Sequence, residues 1–213
     1  MSPDFAYALG LLATDGAIVR GRTISLPSAD RELVEHVLRC LGKKNAISQF
    51  RTERGGIAYR TQIGDVALCR WLQTIGITPR KSLVLGAVDV PDHLLAHLLR
   101  GLLDGDGSII NKRARADTRR SPTYTWEYLR TSFLSASRPH IVWLRDRINM
   151  AFEIDGYIAT GRSRKRPQRV MYTLRFGKRH SLKLLPLIYA DRDAPRLTRK
   201  WRVWANYLER HSS

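Results

Sequence analysis

Two aspartates occur in the same local setting. Gly10-Leu11-Leu12-Ala13-Thr14-Asp15-Gly16 returns as Gly101-Leu102-Leu103-Asp104-Gly105-Asp106-Gly107, with five of seven positions identical at an offset of 91 residues in a chain of 213. A phrase repeated at half-chain spacing marks two similar halves, each supplying one carboxylate at one place. Both phrases end a helical pattern with small residues four apart: Ala6 and Gly10 in the first, Gly101 and Gly105 in the second. Small residues at that spacing strip one helix face of bulk, so two such faces can approach until their backbones nearly touch. That pairing would bring Asp15 and Asp106 together near a pseudo-two-fold axis. Two carboxylates so close repel unless a proton or a cation sits between them. Mg2+ suits the place, because one or two carboxylates plus substrate phosphate oxygens hold it. Paired metals can activate a water and stabilise the leaving oxygen in phosphodiester cleavage.

The rest of the composition points to a polyanionic partner. Lys and Arg number 37 against 19 Asp and Glu, a formal charge of +18. Nucleic acid or an anionic membrane surface could take that charge. The membrane is the weaker reading, since no stretch approaches the roughly 20 apolar residues of a spanning helix, and the basic residues are not gathered on one amphipathic helix. No basic region precedes an apolar run at the N-terminus, so the expected location is intracellular rather than secreted. Cys40 and Cys69 fall on apolar helical patterns and read as buried thiols in a reducing compartment. No Cys or His spacing suggests zinc.

The elements that must position the aspartates follow from periodicity. Asp4 to Thr14 reads as a helix, Ala17 to Pro27 as a hairpin turning at Gly21-Arg22, and Ser28 or Asp30 caps a helix through Leu41. Strands near Ala46–Thr52 and Ile57–Ile63 and a helix from about Asp65 to Ile75 complete the first half. A connector spans 78–91. The second half repeats the order: helix Asp92–Gly105, a strand from Ser108 to Lys112, a basic insertion Arg113–Pro122, strand Thr125–Ser135, helix Arg138–Phe152, strands Tyr157–Thr160 and Val170–Phe176, and helix His180–Tyr189. A terminal helix Thr198–Arg210 ends the chain. The fold class is α+β, two αββαββα halves at 1–77 and 92–213. One face of each antiparallel sheet must pack on helices, leaving the other to carry charge. Arg20, Arg22, Arg51, Arg60, Arg130, Arg169 and Arg175 are the strand candidates, with Lys112 beside them. In a major groove, Arg pairs with guanine O6 and N7. The basic loops hold Arg113, Arg115, Arg119, Arg120, Arg162, Arg164, Lys165 and Arg166, suited to phosphates, which give affinity rather than sequence information. Trp126 reads as exposed on a strand and the other tryptophans as packing residues.

Ala8-Leu9-Gly10-Leu11-Leu12-Ala13-Thr14-Asp15-Gly16 and Leu99-Arg100-Gly101-Leu102-Leu103-Asp104-Gly105-Asp106-Gly107 resemble the two motifs of a LAGLIDADG homing endonuclease. The second motif is the closer, with flanking Arg100 and Ser108-Ile109. In the first, Ala13 replaces the motif's first acid, which is not the metal-binding one. Pro79-Arg80-Lys81-Ser82 and Arg199-Lys200-Trp201 are similar to segments of single-chain members. The resemblance implies a monomer whose two sheets form a saddle over double-stranded DNA, with Asp15 and Asp106 binding Mg2+ at its centre. It implies that the carbonyls of Thr14 and Gly105 complete the coordination. Lys178, after the last strand of its half, matches the family's catalytic lysine, and Gln62 is the candidate in the first half, where Asp65 stands at the equivalent place. Ser28 and Ser137 stand where polar catalytic helpers are found.

The resulting expectation is a hydrolase: a Mg2+-dependent, site-specific double-strand endonuclease, intron-encoded or free-standing rather than from an intein. The alternative is a regulator or an intron RNA maturase on the same scaffold. The halves differ in loop length and charge, so the preferred target should be asymmetric. Selection from a randomised duplex library checks this, and a palindromic best site would contradict it.

Overall fold

Pro3 provides a preset φ at a first helical position, and Ser2 Oγ accepts a hydrogen bond from the Phe5 N–H at 3.2 Å, so α1 (Pro3–Thr14) begins there. In the computed structural model, which describes residues 1–53, 55–79, 81–115, 125–163 and 167–212, α1 is followed by β1 (Ala17–Val19), β2 (Thr23–Ser28), α2 (Arg31–Cys40), β3 (Ile47–Arg51), β4 (Ile57–Gly64) and α3 (Val66–Thr74). The second half runs α4 (Leu95–Gly105), β5 (Ser108–Arg115), β6 (Thr125–Ser135), α5 (Arg138–Phe152), β7 (Tyr157–Arg162), β8 (Val170–Phe176) and α6 (Lys178–Ile188), and α7 (Thr198–Glu209) follows. Each half contains one antiparallel four-stranded sheet, ordered β1-β2-β4-β3 and β5-β6-β8-β7. The two orders are the same path traced twice.

Alternation along the strands decides which face is covered. In the first sheet Ile24, Leu26 and Ile63 are buried, and in the second Leu129, Phe133, Leu174 and Phe176 are. These residues join α1, α2, α4, α5 and α6 in one hydrophobic cluster that spans both halves. Residues of opposite parity lie on the uncovered faces.

The cluster is organised around α1 against α4. A Cβ added at Gly10 would lie 2.5 Å from the Leu98 carbonyl oxygen and 2.7 Å from the Leu102 nitrogen, and one at Gly101 would collide with the Tyr7 carbonyl oxygen. These are backbone atoms, which cannot swing aside. The two helices therefore touch main chain to main chain, as the small-residue spacing predicts.

Some boundaries differ from the sequence reading. Asp92–Leu94 is a separate 3-10 turn, and α4 starts at Leu95. The hairpin turn bends at Arg20 and Gly21, both at positive φ, rather than at Gly21-Arg22. β5 runs on to Arg115 instead of ending at Lys112, because Arg113 faces Glu127 and Arg115 faces Thr125 across the ladder. A cross-strand pair of opposite charge favours strand over loop there, which a reading of basic composition missed. Arg119 and Arg120 lie outside the described residues.

The close helix contact sets a stability expectation. Gly101→Ala should cost about 2 kcal/mol or more, since overpacking here displaces backbone. Gly161→Ala on β7, where an added Cβ meets nothing within 4 Å, should stay within ~0.5 kcal/mol. Urea unfolding of both variants checks the difference, and equal losses would mean that the helix contact is not specific.

Candidate active site and nucleic-acid interface

Helix α1 ends at Asp15, whose backbone N–H donates to the Leu11 carbonyl, and α4 ends at Asp106. The glycine contact brings these two ends together. Asp15 is half-buried and Asp106 exposed. Burial, and after it the Asp106 carboxylate, pushes the Asp15 carboxyl up to about 7, against the pull of Lys200 and Lys81. The charge of Asp106 thus reaches Asp15 across the contact of the two helices.

Each helix end also has a lysine. Lys81, in the turn Lys81–Leu83, donates to the carbonyls of Thr14, at 3.3 Å, and Gly16. Lys200, in the first turn of α7, donates to the carbonyls of Leu103 at 2.6 Å, Asp104 at 2.7 Å and Gly105 at 3.0 Å. Those are the carbonyls that a helix leaves unpaired at its C-terminus, and a cation suits the negative end of its dipole. The lysines are only 6 % and 5 % exposed, so their charge has little help from water. Burial lowers both, Lys200 to about 8, while Asp15 and Asp106 pull upward. A carboxyl and an ammonium both shifted towards neutrality at one spot mark a functional-site candidate. Sequence reasoning did not place these lysines in the site, although the Arg-Lys pair in each of the two segments, Arg80-Lys81 and Arg199-Lys200, was the available signal.

The entry to α7 is pinned from both halves. Arg199 makes a two-pronged contact to Asp30 at 2.8 and 2.9 Å, and the Thr198 N–H donates to Glu32 at 3.0 Å, both from the first half. From the second half, Asp104 Oδ2 accepts from the Leu197 N–H at 2.8 Å and from Tyr7 Oη at 2.9 Å. Asp104 is fully buried, and desolvation pushes it up to about 6. The acid missing from the first motif at Ala13 is therefore, in the second, a strut between α4, α1 and α7.

The other expected residues have these surroundings. Lys178 opens α6, 3.8 Å from Glu127 and 5.8 Å above the Tyr207 ring. Asp65 caps α3 by accepting from the Leu68 N–H and pairs with Lys43 at 3.0 Å. Ser137 is fully buried and donates to the Leu85 carbonyl at 2.6 Å, and Ser28 accepts from the Asp30 N–H at 3.1 Å. Gln62 is exposed on β4.

The strand parity divides the basic residues. Arg60, Lys112, Arg130 and Arg175 lie on the uncovered faces, with Arg60 over the Phe50 ring at 4.4 Å and Arg130 over the Tyr128 ring at 5.1 Å. Trp126 shares that face and is 43 % exposed. Arg51, Arg113 and Arg162 have the opposite parity, because their partners Ile57, Glu127 and Val170 continue the helix-side rows. Arg113 lines a cleft of about 140 Å³ with Arg210 and His211. Arg115 pairs with Thr125 at the outer end of β5, Arg20 and Arg22 are exposed at the first hairpin, and Arg169 precedes β8. Arg164, Lys165 and Arg166 lie outside the described residues.

As a donor set, Asp15, Asp106 and nearby backbone carbonyls are hard oxygens, suited to Mg2+ or Ca2+. Among the described residues no three His, Cys, Asp or Glu side chains cluster. The raised carboxyl of Asp15 has a stability consequence. Its charge costs nothing below about pH 4, where it is protonated folded or unfolded, and costs most above about pH 7. Asp15→Asn should therefore raise Tm at pH 8 and raise it less at pH 5, measured without divalent cations. A lower Tm at pH 8 would mean that the lysines need this charge.

No protein-family model and no curated protein matches the sequence. Solved structures do. The N-terminal LAGLIDADG domain of DUF199/WhiA is 15 % identical with a TM-score of 0.53, over 88 % of this chain and 82 % of that one. The homing endonuclease I-WcaI, solved bound to its DNA recognition sequence, is 11 % identical with a TM-score of 0.53, over 87 % and 80 %. Mesophilic variants of the homing endonuclease I-DmoI are 13 % identical with a TM-score of 0.53, over 89 % and 96 %. The two-half architecture, with its paired motif helices and two uncovered sheets, is the LAGLIDADG fold.

Proposed function

We propose that this chain is a Mg2+-dependent, site-specific double-strand DNA endonuclease, acting as a monomer on a long asymmetric target of the kind an intron-encoded or free-standing homing enzyme recognises. The observation that carries the reading is the doubled arrangement at the helix ends: two coupled carboxylates, each helix end held by a buried lysine. Two strands must be cut, and each motif-helix end brings together one aspartate and one lysine, Lys81 from the connector and Lys200 from α7. The charge of +18 and the uncovered sheet faces support a duplex partner. Two of the similar structures are homing endonucleases, one of them solved with DNA.

In this mechanism Asp15 and Asp106 hold the cation, with the carbonyls of Thr14 and Gly105 as further oxygen donors. The metal, when bound, supplies activation of water and charge for the leaving oxygen. Lys81 and Lys200 place positive charge beside the scissile phosphates. Lys200, with its ammonium lowered to about 8, can hold or release a proton near neutral pH. Arg60, Arg130, Arg175 and Lys112 hold the duplex across the sheet faces. The two centres are not equivalent, because only the second has a buried acid, Asp104, behind it.

The test is cleavage of a randomised duplex library, and of DNA flanking the gene, with Mg2+ and with EDTA. Asp15→Asn and Asp106→Asn should each reduce cleavage at least ~100-fold and leave binding in EDTA largely intact. Mg2+ should raise the Tm of the wild type at pH 8 and leave that of the two variants unchanged. Specific, salt-sensitive binding without a break would replace the enzyme with a regulator or maturase, and loss of binding together with cleavage would make the aspartates structural.

A further inference from the structure

Hydrogen-bond register aligns the two sheets residue by residue. Ala17, two residues beyond Asp15, faces Ser25, which faces Gln62. Ser108, two residues beyond Asp106, faces Ser132, which faces Arg175. The two rows occupy the same place in their halves. The serine is the same in both, and Ser108 Oγ and Ser132 Oγ lie 2.8 Å apart, which places that row's side chains on one face. The end residue differs: Gln62 in one half, Arg175 in the other. Both are on the uncovered faces, and neither side chain has a hydrogen-bond or ion-pair partner among the described residues. An unpaired amide and an unpaired guanidinium are thus held at matching positions, in the rows next to the aspartates.

We propose that Gln62 and Arg175 are a pseudo-symmetric pair of base-reading residues, whose difference in type makes the two half-sites prefer adenine and guanine at the equivalent base pair near the centre of the target. This rests on the reading of the chain as a duplex-DNA-binding protein. The chemistry is that of the major groove. A carboxamide pairs in two-pronged fashion with adenine N6 and N7, and a guanidinium with guanine O6 and N7. Neither side chain can make the other's pattern, since the adenine edge needs an acceptor and guanidinium has none. The β-scaffold fixes both Cα positions, so a specificity swap needs no backbone change. Gln62 is then a specificity residue rather than a catalytic one.

The test uses binding, so that it stands apart from cleavage. Enriched duplexes are selected from a randomised library in EDTA with the wild type, Gln62→Arg, Arg175→Gln and the double swap. The wild type should enrich adenine at one column of the first half-site and guanine at the matching column of the second, by about tenfold or more each. Gln62→Arg should turn the first column to guanine, Arg175→Gln should turn the second to adenine, and the double swap should exchange them. Unchanged columns with retained binding would overturn the assignment. So would a uniform loss across all sequences with a shallower salt dependence, the behaviour of a phosphate contact. A wild type that enriches no duplex would overturn the DNA-binding reading itself, which separates the two failures. Both residues lie on exposed or half-exposed strand positions, and unchanged Tm values for the variants verify that they fold.

Discussion

Everything at the centre of the molecule depends on the main-chain contact between α1 and α4. Helices normally keep about 8–10 Å between axes because side chains intervene. Here Gly10 and Gly101 remove them, and carbonyl and amide groups of the two helices meet directly. The gain is geometric rather than energetic: two short segments far apart in sequence end within electrostatic reach of each other. A single methyl group at the crossing would spread the helices and with them the carboxylates. The same contact draws the hydrophobic faces of both halves into one core, so neither half's sheet has a separate interior to fold around.

That placement creates a charge problem, and the chain answers it with buried cations. Two carboxylates lie near the negative ends of two helix dipoles, an arrangement that disfavours charge twice over. Lys81 and Lys200 bond to the carbonyls at the two helix ends, which relieves the dipoles. The raised Asp15 carboxyl shows that this placement costs the fold stability when the group is charged.

The sequence was legible where the signal was repeated or periodic. Asp15 and Asp106 stood out because the phrase around them occurs twice, and the helix and strand order followed from apolar spacing. Lys81 and Lys200 were harder, since each reaches its partners from far along the chain and only burial distinguishes it from other basic residues. Lys178 was chosen by its place after a strand, and its ammonium lies 3.8 Å from Glu127 and 5.8 Å from the Tyr207 ring. Arg51, Arg113 and Arg162 looked equivalent to Arg60 and Arg130 in composition. Strand parity separates them, and parity requires a register that no single segment contains. The extension of β5 to Arg115 was hidden for the same reason, because Glu127 lies on the partner strand.

Lys200 is attached to the helix that follows both halves, and this gives the fold an order in time. A chain made only as far as α6 has both aspartates, both sheets and Lys81, but the last carbonyls of α4 still lack their cation. Asp104 likewise awaits the Leu197 amide. The carbonyls at the end of α4 therefore gain their cation only from an element that follows α6 in the chain. The ends of α1 and α4 are thus completed by different parts of the chain, the first by the connector between the halves and the second by the helix that follows them.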